Sequence, residues 1–129
     1  MRQSFKGAKK LKEIIMPKKE IANILQKVKV TGLNIEKYQK KPEKFTKLPA
    51  ITFFQNRDSI KRQFGEMVIL KETYGFQIDV WGEKSDEVSK IVKEVKKQML
   101  LAGYSYVTGN DLDDPSGLFR FTMIFERSI

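Results

Sequence analysis

Residues 85–103, SDEVSKIVKEVKKQMLLAG, constrain the fold of this chain more than any other stretch. Val88, Ile91, Val92, Val95, Met99 and Ala102 recur at offsets of three and four, which places them on one stripe of a helix. Ser85 is a good N-cap, and Asp86 and Glu87 put negative charge against the positive end of the helix dipole. Lys96 and Lys97 fall toward the other end, and Gly103 is placed to close the helix in a left-handed cap. An amphipathic helix of this length has to cover an apolar surface.

The flanking segments supply that surface as strands. In MVILKETYGFQIDVW (67–81), Phe76, Ile78 and Val80 alternate with Gln77, Asp79 and Trp81, the period-two pattern of a half-covered sheet. The stretch is long enough for two short strands or one extended, bulged strand, with Gly75 marking a bulge or close backbone approach. LPAITFFQ (48–55), rich in β-branched and aromatic residues, reads as another strand. NRDSIKRQFGE (56–66) reads as a loop or a poorly formed helical turn. YSYVTGNDL (104–112) and LFRFTMIFERS (118–128) read as strands joined across the DDPSG turn. In the last strand Phe119, Phe121, Met123 and Phe125 share one face, and Arg120, Thr122 and Glu126 the other.

Upstream, Pro17 suits the first turn of a second helix reaching about Lys29, with Ile21, Ile24, Leu25 and Val28 on its apolar side. The lysine-rich connection 31–47 holds at most a short edge strand near 33–38. Residues 1–16, rich in Lys and Arg, read as a basic arm ahead of a single domain over 17–129. The order helix, strand, strand, helix, strand, strand predicts an α+β domain: a mainly antiparallel sheet of about four strands with two helices packed on one face.

Composition narrows the chemistry. None of the 129 residues is cysteine or histidine, which removes disulfides, thiol nucleophiles, imidazole general bases and imidazole or thiolate metal ligands. An enzyme would have to work with carboxylates, lysine, tyrosine or a bound cofactor, and the expectation is no catalytic residue, no cofactor and no metal. A formal net charge of +9 favours anionic partners such as nucleic acid, a membrane surface or an acidic protein face, without choosing among them. No window approaches the about 18–20 apolar residues of a membrane span, and LKEIIMPKKEIANIL lacks the apolar core of a signal peptide. The expectation is a soluble protein that acts, or is assembled, inside a cell.

Three constellations invite functional readings. Asn110, Asp111, Asp113 and Asp114 in GNDLDDPSG could offer oxygens to a hard cation, but Pro115 interrupts the ligand spacing of an EF-hand and the segment reads as a tight turn. Asp79 and Glu83 resemble part of a nuclease signature, yet Lys84 follows Glu83 directly, so the Glu-x-Lys spacing fails. Asp79 is then a polar residue on an exposed or interfacial strand face. Trp81 on the same side is either a subunit contact or a lid over the start of the following helix. Tyr38, Phe45 and Phe54 among the lysines could stack bases. Lysine outnumbers arginine 20 to 5, however, which suits loose phosphate attraction more than base reading.

As an ordered set, the segments QIDVWGEKSDEVSKIV and MLLAGYSYVTGNDLDDPSGLFRFTMIFERS resemble the tail terminator, or tail completion, proteins of long-tailed bacteriophages. In that family a strand of the type hxhDhW, where h is apolar, runs into a helix opened by Ser or Thr and closed by glycine. A strand, an acidic DLxD turn and a final strand of the type hRhxhxFE follow. Gln77–Trp81, Ser85, Gly103, Asp111–Asp114 and Arg120–Glu126 stand in those places, and the resemblance covers roughly 74–128. LPAITFF matches the family's LPxhhh strand, whereas 1–16 and 31–47 have no counterpart.

The resemblance implies a non-enzymatic virion protein. It would form a ring, usually of six copies, on the head-proximal end of the tail tube, assembled in the host cytoplasm. The implied partners are further copies of itself, the tail tube protein and a head-side connector or stopper protein. Genomic DNA would pass through the lumen without sequence-specific binding, and no membrane is involved. Gln77, Asp79, Trp81, Arg120, Thr122 and Glu126 are the expected subunit or partner interface, and the lysines are expected on outer or docking surfaces. Another neck protein, a stopper or adaptor, is the alternative, followed by a small basic nucleic-acid-binding module.

Overall fold

The computed structural model describes residues 17–57, 60–64, 67–71 and 73–128, and side chains for 18–56 and 73–127. The basic arm at 1–16 lies outside the described residues. The elements in chain order are α1 (Pro17–Gln26), β1 (Glu36–Tyr38), β2 (Ala50–Arg57), β3 (Ile60–Phe64), β4 (Met67–Lys71), β5 (Thr73–Gly82), α2 (Ser85–Leu101), β6 (Ser105–Asp113) and β7 (Phe119–Ser128). A five-stranded sheet runs β1-β2-β5-β7-β6, antiparallel except for β1, which lies parallel to β2. β3 and β4 form a separate two-stranded hairpin. The expected α+β architecture is present, with more strands than the sequence disclosed.

The helix 85–103 forms as its stripe requires. Val88, Ile91, Val92, Val95 and Met99 are all buried. At about 1.5–3 kcal/mol per large apolar side chain, the stripe contributes roughly 10 kcal/mol against the entropy of ordering the helix. Its C-terminus closes on Gly103, at φ +94°, where the Gly103 N–H bonds the Leu100 carbonyl and the Tyr104 N–H bonds that of Met99. Its N-terminus departs from expectation. Lys84 occupies the N-cap position with no side-chain cap bond, and Ser85 is already the first helical residue.

Both helices pack on the same sheet face. Ile21, Leu25 and Val28 of α1 and its extension meet Ile91, Val95 and Met99 of α2 over a floor of Ile51, Phe53, Phe76, Ile78, Val80, Met123 and Phe125. Those floor residues are the alternate positions of β2, β5 and β7, brought level by the register Phe53↔Ile78↔Met123. Phe119 shares that face but stays 49% exposed, at the margin of the helix layer.

Two expectations are corrected here. The described residues of 56–66 are strand and not loop or helical turn: β2 continues to Arg57, and Ile60–Phe64 is a strand paired with Met67–Lys71. The Ile60 to Phe64 spacing suits either period, and pairing with the apolar MVILK run decides it. Helix α1 ends at Gln26, with Lys27 and Val28 following as tightened turns onto the Ile24 and Leu25 carbonyls.

Candidate functional site

The sheet face turned away from the helices carries a charged cluster set by strand register. Asp79 of β5 sits opposite Thr52 of β2 on one side and Thr122 of β7 on the other. Trp81, two residues on and so on the same face, sits opposite Ala50 and Arg120. The polar positions of the β5 alternation and the polar positions of β7 thus converge without any loop bringing them together.

Asp79 is 3% exposed. Its Oδ2 accepts from Arg120 Nη2 at 2.7 Å and from Arg120 Nε at 3.2 Å. Its Oδ1 accepts from Thr122 Oγ1 at 2.5 Å and from Gln77 Nε2 at 3.3 Å. A buried carboxylate is tolerated only when paired and hydrogen-bonded, and this one has both. The Arg120 guanidinium also lies 4.5 Å from the centroid of the Trp81 ring, so the same cation serves a carboxylate and an aromatic face.

Trp81 is 1% exposed, and its indole N–H donates to Thr52 Oγ1 at 2.9 Å. The 38–45 segment folds over it. Phe45 lies 5.2 Å from the Trp81 ring, Tyr38 packs edge-on to Phe45 at 6.0 Å, and Lys41 Nζ stands 4.9 Å from the indole centroid. Chemically this assembly is a clamp: it neutralises one buried charge, fixes the rotamers of Arg120 and Trp81, and ties β2, β5, β7 and the lysine-rich connection into one unit.

Five of the six residues singled out from the sequence therefore meet: Gln77, Asp79, Trp81, Arg120 and Thr122. Glu126 does not join them. It lies further along β7, opposite Gly75 and Ser105. Asp79 and Trp81 are covered within the subunit, so neither side chain is itself presented at its surface. The part of this face that remains accessible is Phe54, 47% exposed, with the partly exposed Gln77, Arg120, Thr122, Ile124 and Glu126.

Sequence reasoning missed Thr52 as the indole's acceptor, because a lone threonine in LPAITFFQ carries no signal of its own. It placed Tyr38 and Phe45 among base-stacking candidates, whereas both pack toward Trp81. In the acidic turn, Asp114 accepts from the Ser116 backbone N–H at 3.1 Å and from the Ser116 hydroxyl. Those bonds hold its carboxyl below the usual carboxylate range. Gly117, at φ +81°, completes the turn by donating to the Asp114 carbonyl.

No family model matches the chain, and no curated protein matches it. Among solved structures, a chain from the "Virion of native gene transfer agent (GTA) particle" is similar to it, with a TM-score of 0.54 and 9% identity. The match covers 84% of this chain and 82% of that chain, so the likeness is one of the whole fold.

Proposed function

We propose that this chain is a structural protein of a tailed, phage-like virion, and more specifically a tail terminator. In this reading it forms a ring, usually of six copies, on the head-proximal end of the tail tube. The ring stops further addition of tube protein and offers a surface to the head-side connector. The observation that carries the virion role is the whole-fold likeness to a chain of the gene transfer agent particle. The assignment to the tail end rests on the ordered motif from Gln77 to Glu126, which resembles tail terminators.

The clamp around Asp79 is consistent with such a role. Its acid is tied to Arg120 and Thr122, an arrangement that braces a sheet and leaves the carboxylate no free lone pair directed at a substrate. The role is carried by surfaces, and DNA passes the ring without being read.

The test is mass by light scattering on the purified protein, alone and after mixing with tail tube protein, with electron microscopy of tube ends. A mass near six copies, or a discrete ring on tube ends, is the expected result. A ring that ignores tube protein and binds a head-side protein instead moves the assignment to a stopper or adaptor. A strict monomer that shifts duplex DNA at low salt and loses it steeply as salt rises overturns the virion reading.

A further inference from the structure

β6 is an open edge. It pairs with β7 on one side, and among the described residues no strand covers its other side. Eight of its nine positions are exposed, including Tyr106, Val107 and Leu112. A nine-residue edge presents roughly 30 Å of unpaired backbone donors and acceptors, a template for another strand unless something blunts it. The opposite edge, β1, has only three residues.

The chain carries a second unpartnered feature. β3 and β4 pair with each other and join no other sheet among the described residues. A two-stranded hairpin is marginal in water on its own, so this one needs a surface to lie against. It grows from β2 and β5, at the end of the sheet where Thr73 pairs with Ser128. The β6 edge lies two strands away across β7. Two different patches on one subunit meet the requirement for a head-to-tail contact that closes a ring.

Charge selects the pairing. Residues 104–117 contain Asp111, Asp113 and Asp114 and no Lys or Arg, in a chain whose net charge is +9. Two β6 edges paired antiparallel over their C-terminal ends would set these acids against each other. β3 carries Lys61 and Arg62 and β4 ends on Lys71, with no acid in either strand. A basic five-residue strand spans roughly 17 Å and fits along the acidic end of the edge.

We propose that the free edge of β6 receives the β3 strand of a second copy, so that the sheet of one subunit is continued by the hairpin of the next. This rests on the ring reading above and names the contact that closes it. Like charge then guards against symmetric dimers that overlap the acidic ends of two β6 edges, while opposite charge between β6 and β3 sets the direction of assembly.

The test uses the full chain and three variants: Asp111→Lys with Asp113→Lys, Lys61→Glu with Arg62→Glu, and all four together. Each pair is expected to raise the concentration for half-assembly tenfold or more, and the fourfold variant to restore it. Folding is checked by the emission of Trp81, the sole tryptophan. Because the chain has no cysteine, a second readout is clean: Lys61→Cys and Leu112→Cys proteins, mixed and oxidised, should give a cross-linked heterodimer and little of either homodimer. Rings that survive Asp111→Lys with Asp113→Lys unchanged, or a Leu112→Cys homodimer as the main product, overturn the docking proposal and leave the ring reading standing. A wild-type chain that stays monomeric with and without tube protein overturns both.

Discussion

Cutting the Asp79–Arg120 pair tests whether the clamp holds the sheet together. Asp79→Ala removes a carboxylate that accepts from Arg120 at 2.7 and 3.2 Å and from Thr122 at 2.5 Å. The Arg120 side chain is 25% exposed and that of Asp79 only 4%, so the pair lies between a surface ion pair and a fully buried one. Surface pairs are worth about 0–1 kcal/mol, and breaking a buried pair costs about 3–5 kcal/mol because one charge is stranded. With one partner well buried and the other reaching water, about 3 kcal/mol is expected for Asp79→Ala. Arg120→Met should cost about the same, from the stranded carboxylate and the lost stacking on Trp81, the latter worth about 0.5–1 kcal/mol. The double variant strands neither charge. It should cost about 4 kcal/mol, giving a coupling of about 2 kcal/mol. Urea unfolding followed by far-ultraviolet circular dichroism measures all four proteins at an unchanged m-value. If the single losses simply add, or if Asp79→Ala costs under about 0.5 kcal/mol, the pair is not a unit and the clamp argument is wrong.

Three further outcomes follow from particular contacts. A Cβ at Gly109 would lie 2.0 Å from the Tyr106 hydroxyl and 2.9 Å from Phe121, so Gly109→Ala should swing the Tyr106 ring off Phe125 and Lys96 and cost about 1–3 kcal/mol, read as a lowered urea midpoint. Gly103→Ala, at φ +94°, should cost about 1 kcal/mol through backbone strain alone, since its Cβ would meet nothing within 4 Å. Burial, followed by the charge of Glu20, pushes the Tyr104 hydroxyl up to about 12, with Arg127 opposing. Tyrosine in the unfolded chain ionises near 10, so the unfolded state loses its proton first. The contribution is therefore complete below about pH 10 and is lost as pH rises toward 12. Tyr104→Phe should lack that part of the alkaline decline, measured as the difference from the wild-type chain between pH 9 and 12.

Where the apolar pattern had one reading, the fold was legible. The stripe from Val88 to Met99 and the alternation Phe76, Ile78, Val80 name the residues that meet in the core. Local chemistry likewise marked Gly103 as a helix terminator, because a left-handed residue after a helix favours glycine. What failed was whatever depended on a partner distant in sequence. Ile60–Phe64 pairs with a strand its own composition does not announce, and Thr52 becomes an acceptor only because register sets it beside Trp81. Two of the expected interface residues, Asp79 and Trp81, lie buried within the subunit, whereas Gln77, Arg120, Thr122 and Glu126 stay partly exposed. Period-two logic assigns Asp79 and Trp81 to the face opposite the core, which is where they lie. It cannot see that residues 38–45, a stretch with no periodicity, fold back over Trp81.

That covering decides which substitutions can report on assembly. Trp81→Phe removes an indole N–H that donates to Thr52 at 2.9 Å inside the subunit, and it opens space beneath Phe45. Stranding the buried Thr52 hydroxyl and leaving a gap should cost about 1–3 kcal/mol, so any loss of assembly in that variant is a loss of folding. Phe54 is the contrasting position. It lies on the same sheet face, opposite Gln77, but is 47% exposed and borders a cleft of about 720 Å3 lined also by Lys18, Lys40 and Lys41. An exposed phenylalanine ringed by lysines suits an acidic partner surface with an apolar centre. Phe54→Ser is expected to hold stability within about 0.5 kcal/mol of the wild-type chain and, on the proposed terminator role, to weaken the capping of tube ends. Capping is counted as the fraction of tubes ended by a ring at fixed protein concentration. If Phe54→Ser caps as well as the wild-type chain, the lysine-ringed patch around Phe54 plays no part in docking.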